Sequence, residues 1–407
     1  MRNNIFIQVN SLVISLYLLL VFCTPLHNYS AFYVNIILMI IWLLSANVID
    51  RSWYLGFKNY IYFIVLISLL DLLLSISLDD ALIFKQCIAG KLLAYFSFFL
   101  FLFYSRHLNL FKTPLFFLLV SLACTSVYTY VGNMAFPNAS RALADPSNVE
   151  NEFYRSLYIG GYEFIYSLVL LIFPLIASIK YRVFSAKYNW ILIPLLLFFI
   201  LNIVVASYFI GICIMLLSCL LIFIDSKSIF KLAFTICIIA TVFFVLKDDI
   251  FKALIDFGES INSQMLKKRA TQILYNTYEE DQGSESRTII YYNAVLNFFD
   301  SPLWGKLLGE VSNRRVGHSG LLEYLSNYGI LGLIYFISIY KIFGTTLKRF
   351  SIRKIRSHYY LYFLTVVVFF LIDIFDFSPH ICLVAFFISP CLFLIVDNKY
   401  EGTLVDK

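Results

Sequence analysis

Charge is scarce in this chain: Asp, Glu, Lys and Arg make up 14% of its 407 residues, while apolar side chains make up 61%. A soluble domain carries roughly 45–50% apolar residues, so water is excluded as the main solvent. Apolar windows of the ~20 residues that a spanning helix needs follow one another almost end to end, which leaves no separate soluble domain. The net charge of +6 marks no nucleic-acid partner. Its basic residues sit mainly in short loops, where they orient helices, and do not cluster on a soluble face. The long polar loops lack cysteine. All eight (Cys23, Cys87, Cys124, Cys213, Cys219, Cys237, Cys382 and Cys391) fall in or beside apolar segments, which predicts neither a disulfide nor a metal site. Residues 1–23 lack a small-x-small cleavage site and the small residues that precede a lipidated cysteine, and are expected to remain as a first spanning helix. Internal repeats and the paired broken helices of secondary transporters are missing too.

What is present is a series of apolar windows at roughly 4–22, 30–49, 59–77, 81–104, 111–131, 161–180, 188–206, 207–224, 229–246, 321–344, 359–377 and 379–396. They predict an all-α, polytopic membrane protein, one domain over 1–407 with about 12 spans. The run from Asn189 to Ile224 must turn near Ala206-Ser207-Tyr208, because one straight helix of that length overshoots a ~30 Å hydrocarbon core. Alternate short loops hold Arg51 and Lys58, Arg106 and Lys112, Lys180, Arg182 and Lys187, Lys227 and Lys231, and the 348–356 cluster. The positive-inside rule makes these cytoplasmic and both termini with them. Two loops then face outward, a smaller one at 132–160 and a large one at 247–320.

The large loop is expected to be partly helical. Ala253 to Asn276 reads as one amphipathic helix, with Leu254, Phe257, Ile261 and Met265 on one side, suited to lying on the membrane surface. A second helix is expected from Glu285 to Phe299, on a stripe of Ile289, Tyr292, Leu296, Phe299 and Leu303. Ser301-Pro302 ends it, since the residue before proline avoids helical angles.

Arg287 falls in the first turn of that helix, where the dipole disfavours a cation. Helix N–H groups and a guanidinium together suit a phosphate or pyrophosphate; a salt bridge to Glu285 or to Glu279-Glu280-Asp281 is the structural alternative. Arg314, Arg315 and His318 follow, just before the next span. They fit an anionic lipid headgroup, with the histidine able to change protonation near neutral pH, or an interfacial anchor for ordinary anionic lipids. Asp71, Lys85, Lys91, Glu163, Glu323, Asp373 and Asp376 lie inside spans, where ionisable groups face one another or a wet cavity. Tyr291, Tyr292, Tyr324 and Tyr328 are placed to stack on sugar rings. The Gly329–Gly332 spacing suits close packing more than catalysis.

The order of these elements resembles the O-antigen polymerase (Wzy-type) and O-antigen ligase superfamily of bacterial surface-polysaccharide assembly. Ser286-Arg287 opens a helix; Ser301-Pro302-Leu303-Trp304-Gly305 turns it; Gly317-His318-Ser319 runs into Glu323-Tyr324-Leu325 and Tyr328-Gly329-Ile330-Leu331-Gly332. The resemblance implies a GT-C-like, metal-independent glycosyltransferase of the bacterial inner membrane, without a cofactor. Its donor would be an undecaprenyl-diphosphate-linked oligosaccharide, and a separate chain-length regulator and flippase would be partners beside membrane lipids. By carry-over, Arg287 and His318 are the catalytic pair. Arg314 or Arg315 assists at the diphosphate, Glu323 and Tyr324 lie in the substrate-binding motif, and Arg141 or Arg155 guides the carrier or glycan. His-Ser followed by Tyr-Gly-Ile-Leu-Gly favours polymerase over ligase. A lipid-linked-oligosaccharide flippase is the reading from another class, with no need of a 74-residue outer loop.

Overall fold

The chain is seen in a computed structural model that describes residues 2–29, 32–54, 96–137, 139–143, 149–180, 189–206, 244–260, 264–275, 287–305 and 320–334, with a few isolated positions between. Every regular element among them is helical. The elements are α1 (Arg2–Phe22), α2 (Phe32–Ile49), α3 (Lys112–Ala135), α4 (Ala139–Ala142), α5 (Asn151–Ser156), α6 (Tyr162–Lys180), α7 (Asn189–Val205), α8 (Lys247–Ser260), α9 (Gln264–Tyr275), α10 (Arg287–Asp300) and α11 (Gly320–Tyr328). Helices α1, α2, α3, α6 and α7 match five expected spans to within a few residues. Ile5–Phe22 and Leu108–Ala135 are long and apolar enough to cross a membrane; Tyr33–Ile49, Tyr162–Ile172 and Trp190–Val205 are shorter apolar helices. The expected spans at 59–77, 207–224, 359–377 and 379–396 lie outside the described residues, as do most of 81–104 and 229–246.

Helix α1 packs on α2 and α3, α3 on α7, and α6 on α7. The buried side of α3 explains its place at the centre. Leu115, Leu118 and Leu122 are followed by Thr125, Ser126, Thr129, Gly132 and Asn133 at the same three-and-four spacing. Leucines fill the first half, and small or hydroxyl-bearing side chains admit close neighbours in the second. A buried polar chain also ties α1 and α2 to the helical stretch 96–104. Trp42 Nε1 donates to Tyr104 Oη (3.3 Å), which donates to Asn10 Oδ1 (2.9 Å); Asn10 Nδ2 donates to Ser45 Oγ (2.9 Å).

At the C-terminal end of α2, Asp50 accepts from the Ser52 amide (2.8 Å) and hydroxyl (2.7 Å) and faces His107 Nε2 (3.2 Å) and Arg106 (3.6 Å). Burial by itself raises the Asp50 carboxyl, but the Ser52 bonds and then His107 outweigh it and hold it at about 2.

Two expectations are corrected. The single helix over 253–276 is two, α8 and α9, packed on each other. Phe251, Leu254, Ile255 and Gly258 form the covered side of α8, and Leu266 and Ala270 are buried in α9. Gly258 and Ser260 are weak helix formers at the break, and Lys267 pairs with Glu259 across it. Apolar side therefore meets apolar side. The expected span at 321–344 is interrupted at Gly329, a turn residue with φ +58° between α11 and the helical residues 330–334. The stripe expected on α10 is there and forms its exposed side, with Ile289, Tyr292, Phe299 and Leu303 at 49%, 62%, 68% and 60% exposure, while Ile290, Ala294 and Asn297 are buried. Small and polar side chains let a partner helix approach more closely than large ones do.

Candidate functional site

Helix α10 opens on Arg287 and stops at Ser301-Pro302, where the chain turns and closes with Gly305 N donating to Ser301 O (2.9 Å). Gly305 has φ +58°, and a Cβ there would lie 2.5 Å from the Asn327 carbonyl carbon. Facing it, Gly329 ends α11, its amide donating to Leu325 O (2.9 Å). A Cβ on Gly329 would sit 2.4 Å from Pro302 O, and Ile330 N donates to that same oxygen (2.8 Å). Side chains are excluded from this contact. Gly332 lies against the Tyr324 carbonyl, where a Cβ would be at 2.2 Å.

A second anchor lies further back along both helices. Asn297 and Ser326 are fully buried, and Asn297 Nδ2 donates to Ser326 Oγ (3.1 Å). With Pro302 on Gly329 and Asn297 on Ser326, α10 and α11 run side by side in the same direction. Their C-terminal ends are fastened together, and their N-terminal ends are brought to one side of the pair. Tyr324 is half-buried, its ring 5.9 Å from that of Tyr328. Tyr328 is only 4% exposed and takes no part in sugar stacking, whereas Tyr292 is open. Its burial follows from docking of the 302–305 turn on its own peptide. Arg314, Arg315 and His318 lie outside the described residues, as do the side chains of Arg287 and Glu323; Asp71, Lys85, Lys91, Asp373 and Asp376 lie outside them too.

Arg141 and Arg155 belong to a second assembly, a small cap in which residues 132–137, 139–143 and 149–161 fold over the ends of α1, α3 and α6. What reads as a loop holds two short helices. Ala139 of α4 packs with Tyr154 of α5 and with Ile159, and Ala142, Leu143 and Leu157 lie against them. Ser140 is the internal staple: Oγ donates to Gly160 O (2.6 Å) and accepts from Asn133 Nδ2 (2.8 Å), while Asn133 Oδ1 accepts from the Ser140 amide (3.2 Å). Gly160 N donates to Thr129 Oγ1 (2.8 Å), and Thr24 Oγ1 donates to Tyr158 O (2.6 Å). Thr125 Oγ1 joins both sides, accepting from Thr24 N (2.9 Å) and donating to Phe22 O (2.6 Å). Tyr158 takes φ 60°, a left-handed backbone that costs a side-chain-bearing residue about 1–2 kcal/mol.

Both cap arginines are exposed. Arg155 lies within electrostatic reach of Glu163, in the first turn of α6. Tyr154 donates to the Glu150 carboxylate, which holds its phenol above the usual value, with burial adding to the shift. The cap escaped the sequence reading. Its signal was the Thr125, Thr129, Asn133 series, which faces inward at helical spacing and is answered by polar partners. Among the described residues, no group of His, Cys, Asp and Glu is arranged to hold a metal ion. Compared with known proteins, the chain matches no family model and no curated protein.

Proposed function

We propose that this chain is a surface-polysaccharide polymerase of the O-antigen, Wzy-like kind. On this reading it is a GT-C-like glycosyltransferase of about twelve spans in the bacterial inner membrane, with both termini cytoplasmic. It joins undecaprenyl-diphosphate-linked repeat units at the periplasmic face. The observation that carries the reading is the docking of Pro302 on Gly329. It joins the two stretches on which the resemblance rests, SPLWG and YGILG, and it sets the N-terminal ends of α10 and α11 on the same side.

The register supports a shared site. Arg287 precedes Asn297 by ten residues, ~15 Å along a helix, and Gly320 precedes Ser326 by six, ~9 Å. His318 is two residues before Gly320, and two residues of chain reach at most ~7 Å. One diphosphate headgroup can therefore be served by both. Arg287, at the first residue of α10, offers a bidentate fork beside helix N–H groups, where negative charge grows as the diphosphate departs.

In the transfer, the bond between the anomeric carbon and the diphosphate oxygen breaks, its electron pair leaving with the undecaprenyl diphosphate. The hydroxyl oxygen of the next lipid-linked unit bonds to that carbon, and His318 takes the hydroxyl proton. Arg314 or Arg315 adds charge at the leaving group, Glu323 and Tyr324 hold the glycan, and Arg141 or Arg155 receives the carrier or glycan at the cap.

The test is the surface polysaccharide of a deletion strain, run on a gel beside its parent and a strain carrying Arg287→Ala. A ladder that collapses in both to core plus one repeat unit is the expected result. Lipid-linked polymer building up outside, with no unit on the core, would make the protein a ligase. Single units stranded on the inner leaflet would make it a flippase, and an unchanged ladder overturns the reading.

A further inference from the structure

We propose that Tyr158, with Tyr128 beside it, is a stacking platform on the α4–α5 cap for one sugar ring of a glycan; this rests on the glycan-transferring function above and adds a substrate contact to it. The backbone raises the question first. At φ 60°, position 158 suits glycine or asparagine, and a bulky aromatic side chain is the residue least expected there. The conformation is held from both sides, by Thr24 Oγ1 donating to Tyr158 O (2.6 Å) and by Tyr158 N donating to Arg155 O (3.0 Å). A strained residue so firmly fixed points to a task for its ring.

The ring meets Tyr128 edge-on, with centroids 5.5 Å apart and planes at 79°. Tyr128 is 40% exposed and Tyr158 half-buried, so both reach the surface of the described residues. A pyranose presents one face of C–H bonds, which lies favourably on the negative face of an aromatic ring, and a rim of hydroxyls that need donors and acceptors. The same cap supplies these from the exposed side chains Arg141, Arg155 and Glu152. Lipid would ask for something else. The exposed side of α2 is aliphatic beyond Tyr33 at its start, with Ile37, Ile40, Leu44 and Val48. A tyrosine of an interfacial aromatic belt needs no left-handed backbone.

The test uses the full chain in nanodiscs, titrated with repeat-unit oligosaccharide released by mild acid from the producing cells, with binding read by saturation-transfer NMR and calorimetry. Tyr158→Phe keeps the ring and should bind within twofold of the unchanged chain. Tyr158→Asn fits the left-handed backbone without a ring and should bind about tenfold more weakly, at a melting midpoint no lower than the parent's. Equal binding by Tyr158→Asn, or no oligosaccharide binding by the unchanged chain, overturns the platform. If Tyr158→Asn releases the glycan while the Arg287→Ala ladder stays unchanged, the platform stands and the polymerase reading falls. If Arg287→Ala collapses the ladder and Tyr158→Asn binds normally, the platform alone falls.

Discussion

The cap over α1, α3 and α6 and the corner between α10 and α11 are both tight junctions, but they are made in opposite ways. The cap is joined by side chains: the hydroxyls of Thr24, Thr125, Thr129 and Ser140 and the amide of Asn133 satisfy buried carbonyls and N–H groups. The corner is joined by the absence of side chains, with Gly305 and Gly329 letting two turns touch backbone to backbone. The first should weaken when an atom is taken away, the second when one is added.

The sharpest way to break this contrast is Gly329→Ala. The added methyl meets Pro302 O at 2.4 Å and imposes a left-handed backbone on alanine. The sum of overpacking and conformational cost is about 3–4 kcal/mol. Thermal melting of the purified protein should show it, and a midpoint equal to the parent's would mean the corner is loose.

Ser140→Ala should cost about 2 kcal/mol by leaving Gly160 O and Asn133 Nδ2 buried without their partner. Guanidinium or urea titration in mixed micelles would register it, and an unchanged midpoint would mean that water enters the cap. Thr24→Val keeps the shape and removes one donor, so about 1 kcal/mol is expected from the same titration.

The smallest effect is expected from Asp50→Asn, where charge makes the joint: about 0.5–1 kcal/mol at neutral pH, shrinking with added salt. Its pH dependence has a definite sign. The folded carboxyl titrates at about 2 and its usual value is 3.8. The contribution is therefore complete above pH ~4 and is lost as pH falls through about 2. A melting difference between Asp50→Asn and the parent that grows on acidification would refute it.

The long apolar helices were legible from length and hydropathy alone, and α1, α2, α3, α6 and α7 came out where those runs lie. Helix faces were harder to read. The large apolar stripe of α10 is not its covered side: Ile290, Ala294 and Asn297 are covered and Tyr292 and Phe299 are not. Asn297 meets Ser326 of α11 through a side-chain hydrogen bond, a contact that apolar periodicity does not mark. Among the candidate site residues, the sequence located Arg287 at the start of α10 and the SPLWG turn at its end. It kept the SPLWG and YGILG motifs as separate signals, because a contact between Pro302 and Gly329 depends on one glycine's φ. Helix α8 and α9 read as one helix because apolar periodicity runs through Gly258 without a change of phase.

Asn10 carries a consequence for the order of events during synthesis. Its amide is completely covered, shared by Ser45 on α2 and by Tyr104, which lies 94 residues further along the chain. At a synthesis rate of roughly 5–20 residues per second, Tyr104 is made some 5–20 s after Asn10. Ser45, 35 residues after Asn10, is the first of the two partners to be made, and the Asn10 side-chain oxygen waits longer for Tyr104. Arrival of the 96–104 stretch then completes the set and fixes the three helices in one register. A chain stalled before residue 104 should leave α1 loosely held, and one released after it should not.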